Sequence, residues 1–184
     1  MAQFNFAAAG VLVATIVSGC GGGAAGSACA GGFTGATLAT TTAACPGCQI
    51  NNAGAAIDGN GDSAAALVFN NSGVNPSGGR VSLTASGRIY PAGSTVGAFM
   101  RFPRIESGPG FTNISASIVT YLGGVQQEMI SSTTTTSGNI DGGGQVTFYG
   151  GVANLAFDGV EAIASLGGTS QPTTVNVFEI CGNR

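Results

Sequence analysis

From Arg80 to Ile130 apolar and polar positions alternate every second residue, and glycine and proline break the alternation at intervals. In Val81-Ser82-Leu83-Thr84-Ala85 apolar side chains alternate with hydroxyls, the pattern of a strand with one face buried. Pro91-Ala92-Gly93 carries turn chemistry. Val96, Ala98, Met100 and Phe102 then fall on one face of a second strand, which Pro103 ends because it has no backbone donor. Ile114, Ala116, Ile118 and Thr120 share a face of a third strand, with Ser115, Ser117, Val119 and Tyr121 opposite. Gly123-Gly124 predicts a tight hairpin, since glycine accepts the positive φ of a primed turn. Upstream, residues 64–69 read as a strand. Downstream, residues 145–149 place Val146 and Phe148 on one face. Residues 154–166 alternate less regularly: Leu155, Phe157, Val160 and Ile163 are buried candidates, with a helical turn near Glu161 to Ser165. In residues 173–181 Thr173, Val175 and Val177 point one way, Phe178 and Ile180 the other. No window has a sustained 3.6-residue period. The expectation is an all-β chain, an antiparallel β-sandwich or jelly roll of about eight or nine strands.

The amino-terminal third is different. No charged side chain occurs before Asp58. Residues 4–17, FNFAAAGVLVATIV, form a continuous apolar run that includes Phe4, Phe6, Val11, Val13 and Ile16, and Ser18-Gly19-Cys20 and three glycines follow. Three readings compete. An apolar core ending at small residues fits a secretion signal, and Val17-Ser18-Gly19-Cys20 resembles the bacterial lipobox, which makes Cys20 a lipidation candidate on an anchored lipoprotein. Alternatively the run is an assembly segment that adds as a strand to a neighbouring copy, and head-to-tail repetition of that contact builds a filament. A single membrane helix is the third, since about 18 residues reach the short limit for a span. Residues 1–20 are thus read as a separate segment, 21–44 as a Gly/Thr-rich linker or first strand, and 45–184 as the sandwich.

Five cysteines stand at 20, 29, 45, 48 and 181. Zinc is disfavoured because the chain has no histidine and no second CxxC. A redox site of the thioredoxin kind would need a βαβ unit. With Cys20 lipidated, Cys29, Cys45, Cys48 and Cys181 would form two disulfides in an oxidising compartment. The favoured pairing is Cys48–Cys181 with Cys29–Cys45, the former closing a long loop, in theory a gain of about 4–5 kcal/mol.

Charge narrows the function classes. Charged residues make up 7% of the chain, against about 25% in ordinary soluble domains. Glycine, by contrast, supplies 33 of the 184 residues. Low repulsion of this kind suits secreted, surface or self-assembling proteins. The net charge of −3 and the five arginines argue against nucleic acid as a partner. Arg80, Arg88, Arg101 and Arg104 lie close together in sequence, as solvated strand positions or a small anionic-ligand site. Without histidine there is no Ser-His-Asp or Cys-His arrangement, and without lysine no Schiff base and no phosphate-binding P-loop. The acids near turns read as turn formers, so no enzyme is expected. Asp58, Asn60 and Asp62 have the alternate spacing of oxygen ligands in a calcium loop. An EF-hand is excluded because Ser63 and Phe69 stand where glycine and an acid are needed. An Asx-rich turn and a loop calcium site are the two readings left.

Ala56-Ile57-Asp58-Gly59, the run Ala64-Ala65-Ala66-Leu67 and the segment from Thr120 to Glu128 (TYLGGVQQE) together resemble the discoidin-like, galactose-binding-like β-sandwich domains of bacterial surface proteins. The resemblance spans roughly residues 50–182. It implies a β-sandwich, and it implies carbohydrate binding or a spacer and adhesion role. Tryptophan is absent, and no aromatic platform for a sugar can be picked out from the sequence. The expectation is an extracellular, non-enzymatic structural protein of a bacterial surface, polymerising with copies of itself through its apolar segment. The alternative is a lipid-anchored surface module that binds glycan or calcium.

Overall fold

The computed structural model describes residues 33, 36–41, 45, 47–69, 79–103, 113–135, 144–167 and 173–183. Ten strands form within them: β1 (Thr37–Thr41), β2 (Gln49–Asn51), β3 (Ala65–Phe69), β4 (Gly79–Tyr90), β5 (Thr95–Arg101), β6 (Asn113–Leu122), β7 (Val125–Thr135), β8 (Val146–Val152), β9 (Phe157–Gly167) and β10 (Thr173–Asn183). They build two five-stranded sheets, β1-β4-β9-β6-β7 and β2-β3-β10-β5-β8, and every pairing is antiparallel. From β3 onward the chain crosses from sheet to sheet at almost every connection, so the last two strands, β9 and β10, become the central strands of the two sheets. The expected antiparallel sandwich is the fold found.

The core lies where period two placed it. Val96, Ala98, Met100 and Phe102 are fully or almost fully buried, as are Ala116, Ile118 and Thr120 on β6 and Val160, Ala162 and Ala164 on β9. One aromatic stack lies on a single sheet, where Tyr90 of β4 is the register partner of Phe157 of β9. Tyr90 lies parallel to Phe157, ring centroids 5.0 Å apart, and its other neighbour Phe33 is tilted at 5.3 Å. The Phe33 backbone N–H donates to the carbonyl of Ile180 on β10. The sandwich therefore takes in Phe33 and β1, within the stretch read as linker or first strand. The hairpin at Gly123-Gly124 also forms, with φ of +57° and +79°, and both oxygens of Asp158 accept the Gly123 N–H at 3.1 and 3.0 Å.

Four expectations are corrected. There are ten strands among the described residues instead of eight or nine. The helical turn near Glu161–Ser165 is the middle of β9, because the neighbours β4 and β6 pair with it on both sides. Leu155 is 47% exposed, since it stands in the bend before β9 and not on the strand. Ile180 is in the core with Val175 and Val177, because β10 has a bulge between Val177 and Glu179. The extra residue there resets the alternation, and Phe178 and Glu179 both end up off the core side.

The cysteine pairing is corrected as well. Cys45 bonds Cys48 across a tight turn, with the Cys48 N–H donating to the Cys45 carbonyl at 3.1 Å and Gly47 at φ +85°. This excludes both Cys48–Cys181 and Cys29–Cys45. Cys181 is itself disulfide-bonded, to a residue outside those described. Phe4, Phe6, Val11, Val13, Ile16, Cys20 and Cys29 also lie outside the described residues. No helix among the described residues is long and apolar enough to cross a membrane.

Candidate binding face

Core-facing residues on three adjacent strands define the outer face of the β2-β3-β10-β5-β8 sheet. Val96, Ala98 and Met100 on β5 point inward, which turns Gly97, Phe99 and Arg101 outward. On edge strand β8, Tyr149 packs against the core, which turns Phe148, Gly150 and Val152 outward. On β10 the bulge leaves Phe178, Glu179 and Cys181 on this side. Register then arranges them in rows. Glu179, Phe99 and Phe148 form one row, and Cys181, Gly97 and Gly150 the next.

The two glycines shape the site. A Cβ at Gly97 would meet the Phe148 ring at 2.6 and 2.7 Å, and a Cβ at Gly150 would meet the same ring at 2.7 Å. The Phe148 ring therefore lies down over the space that two side chains would otherwise fill. Phe99 supports it, with centroids 5.1 Å apart and a tilt of 49°. Phe148 remains 37% exposed, so an aromatic surface on a backbone pad is open to solvent. An aromatic ring covering facing glycines also restores the packing that glycine removes from a strand.

Polar groups stand beside the platform on its β10 side. Glu179 is buried beside Phe99, and the 3-10 turn at Ala53–Ile57 packs against its strand. Its pKa is raised above the ordinary 4.5, first by burial and then by the negative charge of Asp58. The folded chain thus holds this proton to a higher pH than the unfolded chain does. Its stabilising contribution is complete below the ordinary carboxylate value and is lost as pH rises through the raised folded one. Thermal melts between about pH 4 and 8 should show Glu179→Gln raising the melting temperature at neutral pH and flattening the slope on this acidic flank. An unchanged slope would mean that Glu179 is not the group responsible. On the same side of the platform, the exposed Arg101 guanidinium sits 5.1 Å over the ring of Phe178, the residue before Glu179.

Among the other described acids, Asp58, Glu128, Asp158 and Glu161 have structural partners. The Asn60 N–H and the Ser63 hydroxyl donate to the two oxygens of Asp58 at 2.7 and 2.6 Å, and the Asp62 N–H donates to Asn60 Oδ1 at 3.1 Å. The Asp58 and Asn60 oxygens named as calcium ligands therefore shape an Asx-type turn. Among the described residues no three histidine, cysteine or acidic side chains gather as a metal site. Glu128 accepts the Asn154 N–H at 2.7 Å. Glu161 is buried on the outer face of the other sheet and accepts the Tyr121 hydroxyl at 2.6 Å.

Sequence reasoning found none of the platform. Gly97 and Gly150 become partners only through the β5–β8 register, and nothing local marks either as special. The only local signal was the aromatic–glycine succession Phe148-Tyr149-Gly150-Gly151 on a strand, where glycine is unusual without a close neighbour.

No family model matches the chain, and no curated protein matches it. Solved structures of similar backbone exist. One is a family 61 carbohydrate-binding module in complex with β-1,4-galactotriose, at 10% identity and TM-score 0.43, covering 83% of this chain and 94% of that one. A second is the family 32 carbohydrate-binding module of C. perfringens NanJ in complex with galactose, at 17% identity and TM-score 0.38, covering 76% of this chain and 92% of that one. A third is the enzymatically active domain of bacteriophage CBA120 tailspike protein 4, at 12% identity and TM-score 0.43, covering 82% of this chain and 19% of that one.

Proposed function

We propose that this chain is an extracellular, non-enzymatic binding module that receives sugar rings on the outer face of the β2-β3-β10-β5-β8 sheet. The observation that carries the reading is the Phe148 ring, laid over Gly97 and Gly150 and open to solvent. The C–H face of a pyranose is weakly positive and apolar. It complements the negative face of an aromatic ring, and a rigid platform spends little entropy on binding. The Cys45–Cys48 disulfide and the scarcity of charge suit an oxidising extracellular setting.

The non-enzymatic part of the reading is supported by where the described acids are. Glycoside hydrolysis needs two carboxyl groups facing each other across the bond. Glu161 and Glu179, the buried acids among the described residues, lie on opposite outer faces of the sandwich, with two sheets about 10 Å apart between them. Asp58, near Glu179, already accepts on both oxygens. Lipid anchorage through Cys20, or assembly through the run from Phe4 to Ile16, would array copies of the module on a surface, where weak single sites gain avidity.

Affinity gel electrophoresis of the full chain against a polysaccharide panel, repeated with Phe148→Ala, tests this. The variant should lose at least about tenfold in affinity, some 1.4 kcal/mol, while its melting temperature stays near the parent's. A glycan bound equally well by both proteins would remove the platform from the reading.

A further inference from the structure

Arg101 is the last residue of β5, two positions beyond Phe99, whose register partner is Phe148. The Arg101 guanidinium, over Phe178 of β10, lies on the side of β5 away from β8, so it stands about 7 Å along the strands and about 10 Å across them from the Phe148 backbone. Two linked sugar rings, one on Phe148 and the next carrying the anion, can bridge that distance. The guanidinium is exposed, yet it is held over the ring of Phe178, which is 8% exposed. Phe178 is available there because the β10 bulge turns it outward. Among the described residues no carboxylate pairs with Arg101. A cation placed on an aromatic face, with its fork still open to water, is fixed in position before any ligand arrives.

We infer that the platform's ligand is an anionic polysaccharide, with a sugar ring on Phe148 and a carboxylate or sulfate in the guanidinium fork of Arg101. The inference rests on the sugar-platform reading and adds the charge of the ligand to it. A planar fork suits either anion through two parallel hydrogen bonds. The chain as a whole carries −3, so its overall field repels a polyanion. Selectivity must come from this one local contact, and charge without the fork will not replace it.

Matched probes isolate the contact: polygalacturonate, the same polymer with its carboxyl groups methyl-esterified, and a sulfated galactan. Affinity electrophoresis of the full chain should show an acidic polymer bound at least about tenfold more tightly than the ester, or about 1.4 kcal/mol. Whichever of polygalacturonate and sulfated galactan binds more tightly identifies the anion. Arg101→Gln should bring the acidic and esterified polymers level, and Arg101→Lys should recover less than half of the lost preference. Phe148→Ala should weaken all of them. Equal binding of acid and ester by the parent chain, or an acid preference that survives Arg101→Gln, overturns the inference and leaves the platform intact. Failure of all three polymers while another glycan of the panel binds through Phe148 overturns the inference alone. Indifference to Phe148→Ala, or no glycan bound at all, overturns the platform and the inference together.

Discussion

Phe157→Ala should remove about 3–5 kcal/mol of stability, the usual cost of emptying a buried aromatic site. Phe157 is fully buried and stacks almost parallel on Tyr90, at an interplanar angle of 9°. The variant loses the transfer free energy of the ring and the stacking, and it leaves a cavity that its neighbours cannot easily close. Tyr90 is held from the far side by Phe33 and by Gly182, where even a Cβ would come within 2.8 Å of the Tyr90 ring. Moving Tyr90 into the gap would break its packing against that ring and backbone, so the cavity cannot be filled without cost. For a chain of this size the melting temperature should fall by roughly 6–20 °C. Chemical denaturation should report the same loss through its midpoint with an unchanged slope. Phe148→Ala is the internal comparison, an aromatic of equal size on the outside. If Phe157→Ala costs no more than Phe148→Ala, the stack does not fill the core as described.

What could be read from the sequence, and what could not, divides along a physical line. The inward faces of β5 and β6 were legible because each strand alternates without interruption, so one-dimensional order and burial coincide. The Gly123-Gly124 hairpin was legible because its conformational demand is local. The fate of Ile180 was not. It depends on one extra residue at Phe178, and a bulge leaves no mark in the alternation before it. The disulfides were misassigned because loop-closure entropy favoured a distant partner for Cys48, whereas the turn around Gly47 brings Cys45 and Cys48 together directly, Cα to Cα 5.4 Å. The platform was hidden for a related reason. Phe99 with Phe148, Gly97 with Gly150 and Arg101 with Phe178 are all contacts between strands far apart in the chain. Composition weighed against a sugar site by the absence of tryptophan, but two phenylalanines on a glycine pad present the same kind of surface.

The glycine pad carries the other large effect. Gly150→Ala should destabilise the chain by about 1–3 kcal/mol or more, the range for overpacked interiors, and it should abolish binding on this face. In an ordinary strand interior the same change would be favourable by about 0.5–1 kcal/mol, because alanine has less backbone freedom to lose. The sign reverses here because of what the new Cβ would meet. It would overlap the Val96 carbonyl oxygen, lie 2.7 Å from the Gly97 Cα and lie 2.7 Å from the Phe148 ring. A ring can swing away at small cost. The other two atoms are backbone of β5, which is hydrogen-bonded to β10 on one side and β8 on the other. Either edge strand β8 pulls away from β5 or Phe148 is lifted off its pad, and both spoil the platform. Gly54→Ala is the matching control, an exposed glycine whose Cβ would meet nothing within 4 Å. It should leave both stability and binding unchanged or slightly improved. Thermal melts and affinity electrophoresis on the two variants separate the outcomes. A Gly150→Ala protein as stable as its parent would mean that β5 and β8 do not approach this closely. A destabilised one that still binds would place the sugar elsewhere on the sandwich.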